Sequence, residues 1–266
     1  MNMLKTKVIL KQVVLLSLGV FLSCTSCSNN NEPPAATVAT DCDFNTLTVT
    51  STESYAFNTP FDAQFSQSSR WNSNAEITVV NEKGELTATD NSSILEAWKL
   101  FRKQMPYNKS WEVAVDVNIP LYWNSNGGNQ AQVGFGVFAG KPVASGQSSK
   151  VYECNMAAIN GGMRFVQAQL VANRLGEDPI DVQFKELAQS KESARLKIQF
   201  CSSNKTLSLF IDNTIVGKGQ AINANGIDNW SLTDNDVIDV GIMGFAENTT
   251  ISSNKPTLDN FEYKIY

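Results

Sequence analysis

The run Trp111-Glu112-Val113-Ala114-Val115-Asp116-Val117-Asn118-Ile119-Pro120 decides the fold. Trp111, Val113, Val115, Val117 and Ile119 alternate with Glu112, Ala114, Asp116 and Asn118. A β-strand points successive side chains to opposite faces, so this period of two marks a strand with one buried face. Pro120 cannot donate to a ladder and closes it. The same period recurs outward in both directions. Val133, Phe135 and Val137 alternate with Gly134 and Gly136, and Leu196, Ile198 and Phe200 lead through Cys201-Ser-Ser-Asn-Lys205 to Leu207, Leu209 and Ile211. Residues 237–245 and 261–265 read as the last strands.

Turn chemistry joins these runs into hairpins. Residues 77–80 and 85–89 flank Asn81-Glu82-Lys83-Gly84, where Gly84 is expected to supply the positive φ of the turn. Residues 152–159 and 163–171 flank Asn160-Gly161-Gly162. Helical patterns are weak. Residues 92–105 space Ile94, Leu95, Trp98 and Phe101 as a helix would, yet could equally hold a strand from Trp98, and residues 180–189 are ambiguous. The pattern predicts an all-β, two-sheet antiparallel β-sandwich of the jelly-roll kind over residues 51–266.

Composition narrows the function classes. The 266-residue chain has a net charge of −5, which argues against a nucleic-acid partner, and no phosphate-cradling glycine loop. It has no histidine. That removes Ser-His-Asp and Cys-His catalysis and His-ligated metal sites. Acid–base work would fall to Asp, Glu, Tyr or Lys. Cys42, Cys154 and Cys201 are an odd set with no metal-type spacing. One pair is possible in an oxidising compartment, and the sequence does not select it. Cys154 and Cys201 fall in strand-like runs, where small buried hydrophobes are expected.

The start of the chain gives an address. Lys5, Lys7 and Lys11 precede an apolar run over 13–22, too short to span a bilayer, and then Phe21-Leu22-Ser23-Cys24. This leader resembles a bacterial lipoprotein signal, with residues 1–23 removed and Cys24 lipidated; Cys24-Thr25-Ser26-Cys27 is a poorer second fit. Residues 24–50, polar and Pro-containing, read as a flexible tether. The resemblance implies a lipid-anchored protein of the bacterial cell envelope, at the outer membrane or cell surface.

A second resemblance concerns the domain. The hairpin Arg195-Leu-Lys-Ile-Gln-Phe-Cys-Ser-Ser-Asn-Lys-Thr-Leu-Ser-Leu-Phe-Ile-Asp-Asn-Thr-Ile-Val-Gly is similar to one common in concanavalin A-like lectin/glucanase (laminin-G-like) domains. Leu258-Asp-Asn-Phe-Glu-Tyr-Lys-Ile-Tyr266 looks like that family's closing strand, and Phe61-Asp-Ala-Gln-Phe65 before Arg70-Trp71 like its first. The likeness implies a sugar ligand. Glucanases of this fold carry a Glu-x-Asp-x-x-Glu strand, which this chain lacks. Glu112 and Asp116 share a strand face without the third acid or its spacing and read as a solvent-facing stripe. Relatives that cleave alginate are disfavoured by the missing histidine.

Three functions follow. A carbohydrate-binding lectin-like domain would use a polar strand face: Gln167 and Gln169, with Arg164 at its start and Tyr152, Glu153 and Asn155 from the preceding strand, since amide groups both donate to and accept from sugar hydroxyls. Trp123 could stack on a sugar ring. The alternatives are a glycoside hydrolase with a non-standard acid pair and a structural or protein-interaction lipoprotein. A structural Ca2+ is a further expectation. Asp234 and Asp236 cluster hard oxygen donors in one loop, Asp259 occupies the position of a calcium-binding Asp in the resembled family, and Asp62 is a plausible neighbour. Asx turns explain the same residues without metal.

Overall fold

The computed structural model describes residues 42–59, 64–67, 74–89, 95–120, 131–142, 148–159, 166–173, 181–186, 191–220 and 232–266. For 148–152, 159, 166–173, 181–186 and 216–220 the description is of the backbone alone. In chain order the strands are β1 (Ser51–Tyr55), β2 (Phe65–Gln67), β3 (Ala75–Val80), β4 (Lys83–Ala88), β5 (Leu95–Phe101), β6 (Met105–Pro106), β7 (Trp111–Asn118) and β8 (Gln132–Pro142). There follow β9 (Ser148–Ile159), β10 (Val166–Asn173), β11 (Asp181–Glu186), β12 (Ser193–Cys201), β13 (Thr206–Ile211), β14 (Thr214–Gln220), β15 (Val237–Glu247) and β16 (Thr257–Ile265).

Two antiparallel sheets face each other. The first runs β14-β13-β12-β7-β16-β4-β3, with β1 also on β16; the second runs β11-β10-β9-β8-β15-β5-β2, with β6 on β15. The fold is the all-β, two-sheet antiparallel sandwich that the alternation predicts. The inward set of β7, Trp111, Val113, Val115 and Val117, joins Val133, Phe135 and Val137 of β8 in one buried cluster. Each such large apolar side chain contributes on the order of 1.5–3 kcal/mol on burial.

The hairpins close differently from expectation in one case. Val80 pairs with Lys83 and Val79 with Gly84, so the β3–β4 turn is the two residues Asn81 and Glu82. They take φ of 49° and 60°, the pattern of a type I′ turn, and Gly84 sits inside the strand. The β13–β14 turn is built the same way from Asp212 and Asn213, with φ of 46° and 65°. In the β12–β13 hairpin Lys205 takes the left-handed position, at φ 55°.

The ambiguous segments resolve as strands. Leu95, Ala97 and Phe101 of β5 join the main core, while Trp98 and Leu100 are buried in a second cluster on the opposite side of the sheet. A strand apolar on both faces loses its period-2 signature and imitates helical spacing. The segment over 180–189 contains β11, paired to β10. The opening strand is β1, ahead of the predicted Phe61–Phe65 run. Only Tyr55 of β1 is buried, so no alternation announced it.

Cys42 and Cys201 form a disulfide. The expectation that Cys201 is a free buried hydrophobe is thereby corrected, while Cys154 is free and buried as expected. The bond ties the segment before β1 to the end of β12. That segment also places Phe44 edge-on to Tyr266, with ring centroids 5.2 Å apart, and donates from the Thr50 amide to the Ile265 carbonyl.

Candidate functional site

Ladder registry assembles the site on the outer face of the second sheet. Reading across β10, β9, β8, β15 and β5, one row is Gln169, Asn155, Gly136, Met243 and Trp98. The next is Val171, Glu153, Phe138, Gly241 and Leu100, and the next on the other side is Gln167, Ala157, Gly134, Phe245 and Glu96. The pairing across residues 160–162 thus brings Gln167 and Gln169 into register with the Glu153 and Asn155 strand. Tyr152 takes the alternate register of β9, opposite Ala139 and Ala172.

The glycines explain the shape of this face. A Cβ on Gly134 would lie 2.0 Å from the Phe245 ring, and one on Gly136 would lie 2.6 Å from the Asn155 Cβ. The side chains of β15 and β9 lie down over β8 because β8 offers no side chain there. Trp98, Leu100, Phe138 and Met243 form a buried apolar cluster beside them, with Trp98 and Phe138 edge-to-face at 4.8 Å. The Trp98 indole N–H donates to Glu96 Oε2 at 3.1 Å.

Within this apolar floor sits a polar pair. Glu153 is 6% exposed and Asn155 1%. Asn155 Nδ2 donates to Glu153 Oε2 at 3.4 Å. A carboxylate only accepts, so it takes the amide N–H and leaves the amide oxygen over. That oxygen, Asn155 Oδ1, is buried with no hydrogen-bond partner. A buried acceptor left unmade costs on the order of 1–3 kcal/mol. Two further acids stand at the ends of β15. Gln104 Nε2 donates to Asp239 Oδ1 at 2.7 Å, and burial pushes the Glu247 carboxyl above its ordinary range.

The opposite sheet carries the acid stripe noted in β7, and there it is structural. Glu112 is nearly buried: Gln199 donates to it at 2.8 Å, and Lys264 and Lys197 stand at 3.1 and 3.7 Å. Burial opposes its ionisation, but these donors and cations outweigh burial and hold its carboxyl below the ordinary range. Asp116 accepts from Arg195 at 2.7 Å and from Asn260 Nδ2 at 2.9 Å. Asn260 reaches it from a bulge in β16, at φ 50°. These residues line a polar hollow of about 430 Å3 with Asp212 and Asp259. Both carboxylates of the stripe are committed to ion pairs.

The calcium candidates are each engaged separately. Asp234 pairs with Lys205 at 3.0 Å, Asp236 accepts from the Thr233 amide at 2.7 Å and its hydroxyl at 2.8 Å, and Asp259 accepts from the Asn260 amide at 2.7 Å. Among the described residues no three Asp, Glu or Cys groups converge as a metal site. Cys24, Cys27, Asp62, Trp123 and Arg164 lie outside the described residues, and Gln167, Gln169 and Tyr152 are described by backbone only. The sequence reading missed Trp98, Phe138 and Met243. Trp98 was concealed by the helix-like spacing of its segment, and Phe138 and Met243 by lying on the second apolar face of their strands.

No family model matches the chain, and no curated protein matches it. Solved structures are similar at low identity. The Emp46p carbohydrate recognition domain, in a potassium-bound form, is 10% identical at a TM-score of 0.46, covering 77% of this chain and 88% of that one. Winged bean acidic lectin complexed with methyl-α-D-galactose is 10% identical at 0.48, covering 81% and 98%. The CBM2 module of the Lactobacillus casei BL23 phage J-1 evolved Dit is 9% identical at 0.48, covering 80% and 94%.

Proposed function

We propose that this chain is a lectin-like carbohydrate-binding domain of the concanavalin A-like type, held outside the cytoplasm by a lipid on Cys24. The observation that carries the sugar reading is the buried Asn155 oxygen without a donor, beside Glu153 and in register with Gln169. Sugar hydroxyls supply the donor it lacks, and the Glu153 carboxylate is a second acceptor. In the ladder the pair lies in register with Phe138, Met243 and Trp98, whose buried cluster gives this strand face an apolar setting.

The extracytoplasmic address is supported by the Cys42–Cys201 disulfide, because such bonds persist in oxidising compartments. The leader, with Cys24 after Phe21-Leu22-Ser23, supports lipidation and attachment at the outer membrane or cell surface. Labelling cells with a radioactive fatty acid tests the anchor: label should be lost in Cys24→Ala. Affinity electrophoresis through a polysaccharide panel, with reducing-sugar release measured in parallel, tests the activity. Retardation without release is expected; release of sugar would make the chain a hydrolase, and neither would leave the interaction-protein alternative.

A further inference from the structure

We propose that the polar hollow on the outer face of the first sheet is a second contact for the glycan and takes a neutral sugar residue. This adds a site to the strand face of Glu153 and Asn155, and it rests on the carbohydrate-binding reading.

The hollow arises where β16 changes neighbours. β16 pairs with β4 at Thr257 and Leu258 and with β1 from Phe261 onward, so Asp259 and Asn260 have no ladder partner on that side. The register against β7 slips at the same place: Asp259 faces Asp116, and Glu262 faces Ala114. An extra residue of this kind re-aims side chains. Here Leu258 and Phe261 both stay in the core, while Asp259 and Asn260 both line the hollow. Two ladder rows cross it: Ser193, Asn118 and Thr257, then Arg195, Asp116 and Asp259. Lys83 borders it at the start of β4.

Size, rigidity and hydrogen-bonding capacity suit a sugar. The volume of about 430 Å3 falls among small-ligand sites, which span about 300–1,000 Å3. The walls are held before any ligand arrives. Asp116 accepts from Arg195 and from Asn260, and Asp212 accepts from the Arg195 amide at 2.8 Å and from Lys191. The capacity left over has both signs. Asn118 gives its side-chain N–H to Ser193 at 2.7 Å and Asn260 gives its own to Asp116, so both amide oxygens remain, as does the second oxygen of Asp259. The Ser193 and Thr257 hydroxyls and the Lys83 ammonium remain as donors. These side-chain groups have no further partner among the described residues. Sugar hydroxyls both donate and accept, and so match such a mixed set. The charges favour a neutral ligand: Lys83, Lys191 and Arg195 balance Asp116, Asp212 and Asp259, and Lys264 offsets Glu262 beside them.

The test uses the full chain in affinity electrophoresis through neutral polymers (a β-glucan, a mannan, a galactan). A gel presents many polymer chains at once, so two contacts on one domain act together and the loss of either weakens retention. Ser193→Trp fills the hollow from an exposed position, and Lys83→Ala removes a donor from its border without breaking a bond. With thermal midpoints equal to the parent's, Ser193→Trp should weaken retardation at least tenfold and Lys83→Ala roughly threefold in the polymer that retards the parent. Parent-strength retardation of Ser193→Trp overturns the inference and leaves the lectin reading standing. No retardation of the parent in any gel overturns both. If Ser193→Trp fails to fold, Lys83→Ala carries the comparison, and its retention at parent strength overturns the inference.

Discussion

Replacing Asn155 by Leu separates a binding residue from a structural one. The two side chains branch alike at Cγ, so Leu occupies the space over Gly136 without the polar atoms. The orphaned oxygen costs about 1–3 kcal/mol in the folded state, and its removal recovers that. The substitution also loses the Nδ2 bond to Glu153, which at 3.4 Å is longer than a good N–H···O bond and contributes about 1 kcal/mol. The net expectation runs from no change to about 2 kcal/mol of stabilisation. For a domain of this size a kilocalorie moves the melting temperature by about 2–4 °C, so calorimetry should show a midpoint unchanged or raised by up to about 8 °C. Binding to the polysaccharide that retards the parent chain should weaken at least tenfold, the loss of about 1.4 kcal/mol of hydrogen bonding. A midpoint lowered by more than about 4 °C with binding unchanged would refute this reasoning. It would mean that Asn155 Oδ1 is satisfied within the fold, by a buried water, and is no ligand group.

Four further outcomes follow from the packing. Reduction of Cys42–Cys201, or the double Ser variant, should cost about 2–5 kcal/mol and lower the thermal midpoint; equal midpoints with and without reductant would show that the bond contributes nothing. Gly134→Ala should cost about 1–3 kcal/mol, because its Cβ falls 2.0 Å from the Phe245 ring, and Phe245→Ala should rescue much of that loss in a double-mutant cycle. Glu112, with its folded-state pKa held down, adds stability that is present above the unfolded carboxylate range and is lost as pH falls through the folded pKa; Glu112→Gln should flatten acid unfolding in that window. The Cys154 thiol, pushed up to about 12 by burial, should resist alkylation in the native chain and react on unfolding.

The fold was legible wherever large apolar residues alternate with polar or small ones along a strand. β7, β12 and β13 show this in the plain alternation of Val113, Val115 and Val117 or of Leu196, Ile198 and Phe200. Legibility failed where that asymmetry fails. β5 buries Leu95 and Ala97 on one side and Trp98 on the other, and β1 buries Tyr55 alone. Turn chemistry was misread at Gly84 for a related reason. Glycine is the common source of positive φ, but here Asn81 and Glu82 adopt it, because registry between Val80 and Lys83 leaves only those two residues for the turn.

The site was half legible, and the missing half is the part that gives it chemistry. Pairing of the Asn155 and Gln169 strands could be expected from the intervening Gly161-Gly162, and their direct registry is what the ladder contains. The sequence could not say that β8 would lie beside them with glycines at 134 and 136. In the sequence those glycines only alternate with Val133, Phe135 and Val137. Their role appears only with Phe245 and Asn155 laid across them: a backbone without Cβ atoms lets neighbouring side chains lie flat, and so makes a floor where a strand of ordinary residues would raise a ridge. Asn155 is buried and spends its amide N–H on Glu153, which leaves its oxygen without a donor. The property that most favours a ligand, an acceptor with nothing to accept, thus follows from an amide whose N–H goes to a carboxylate two residues away on the same strand.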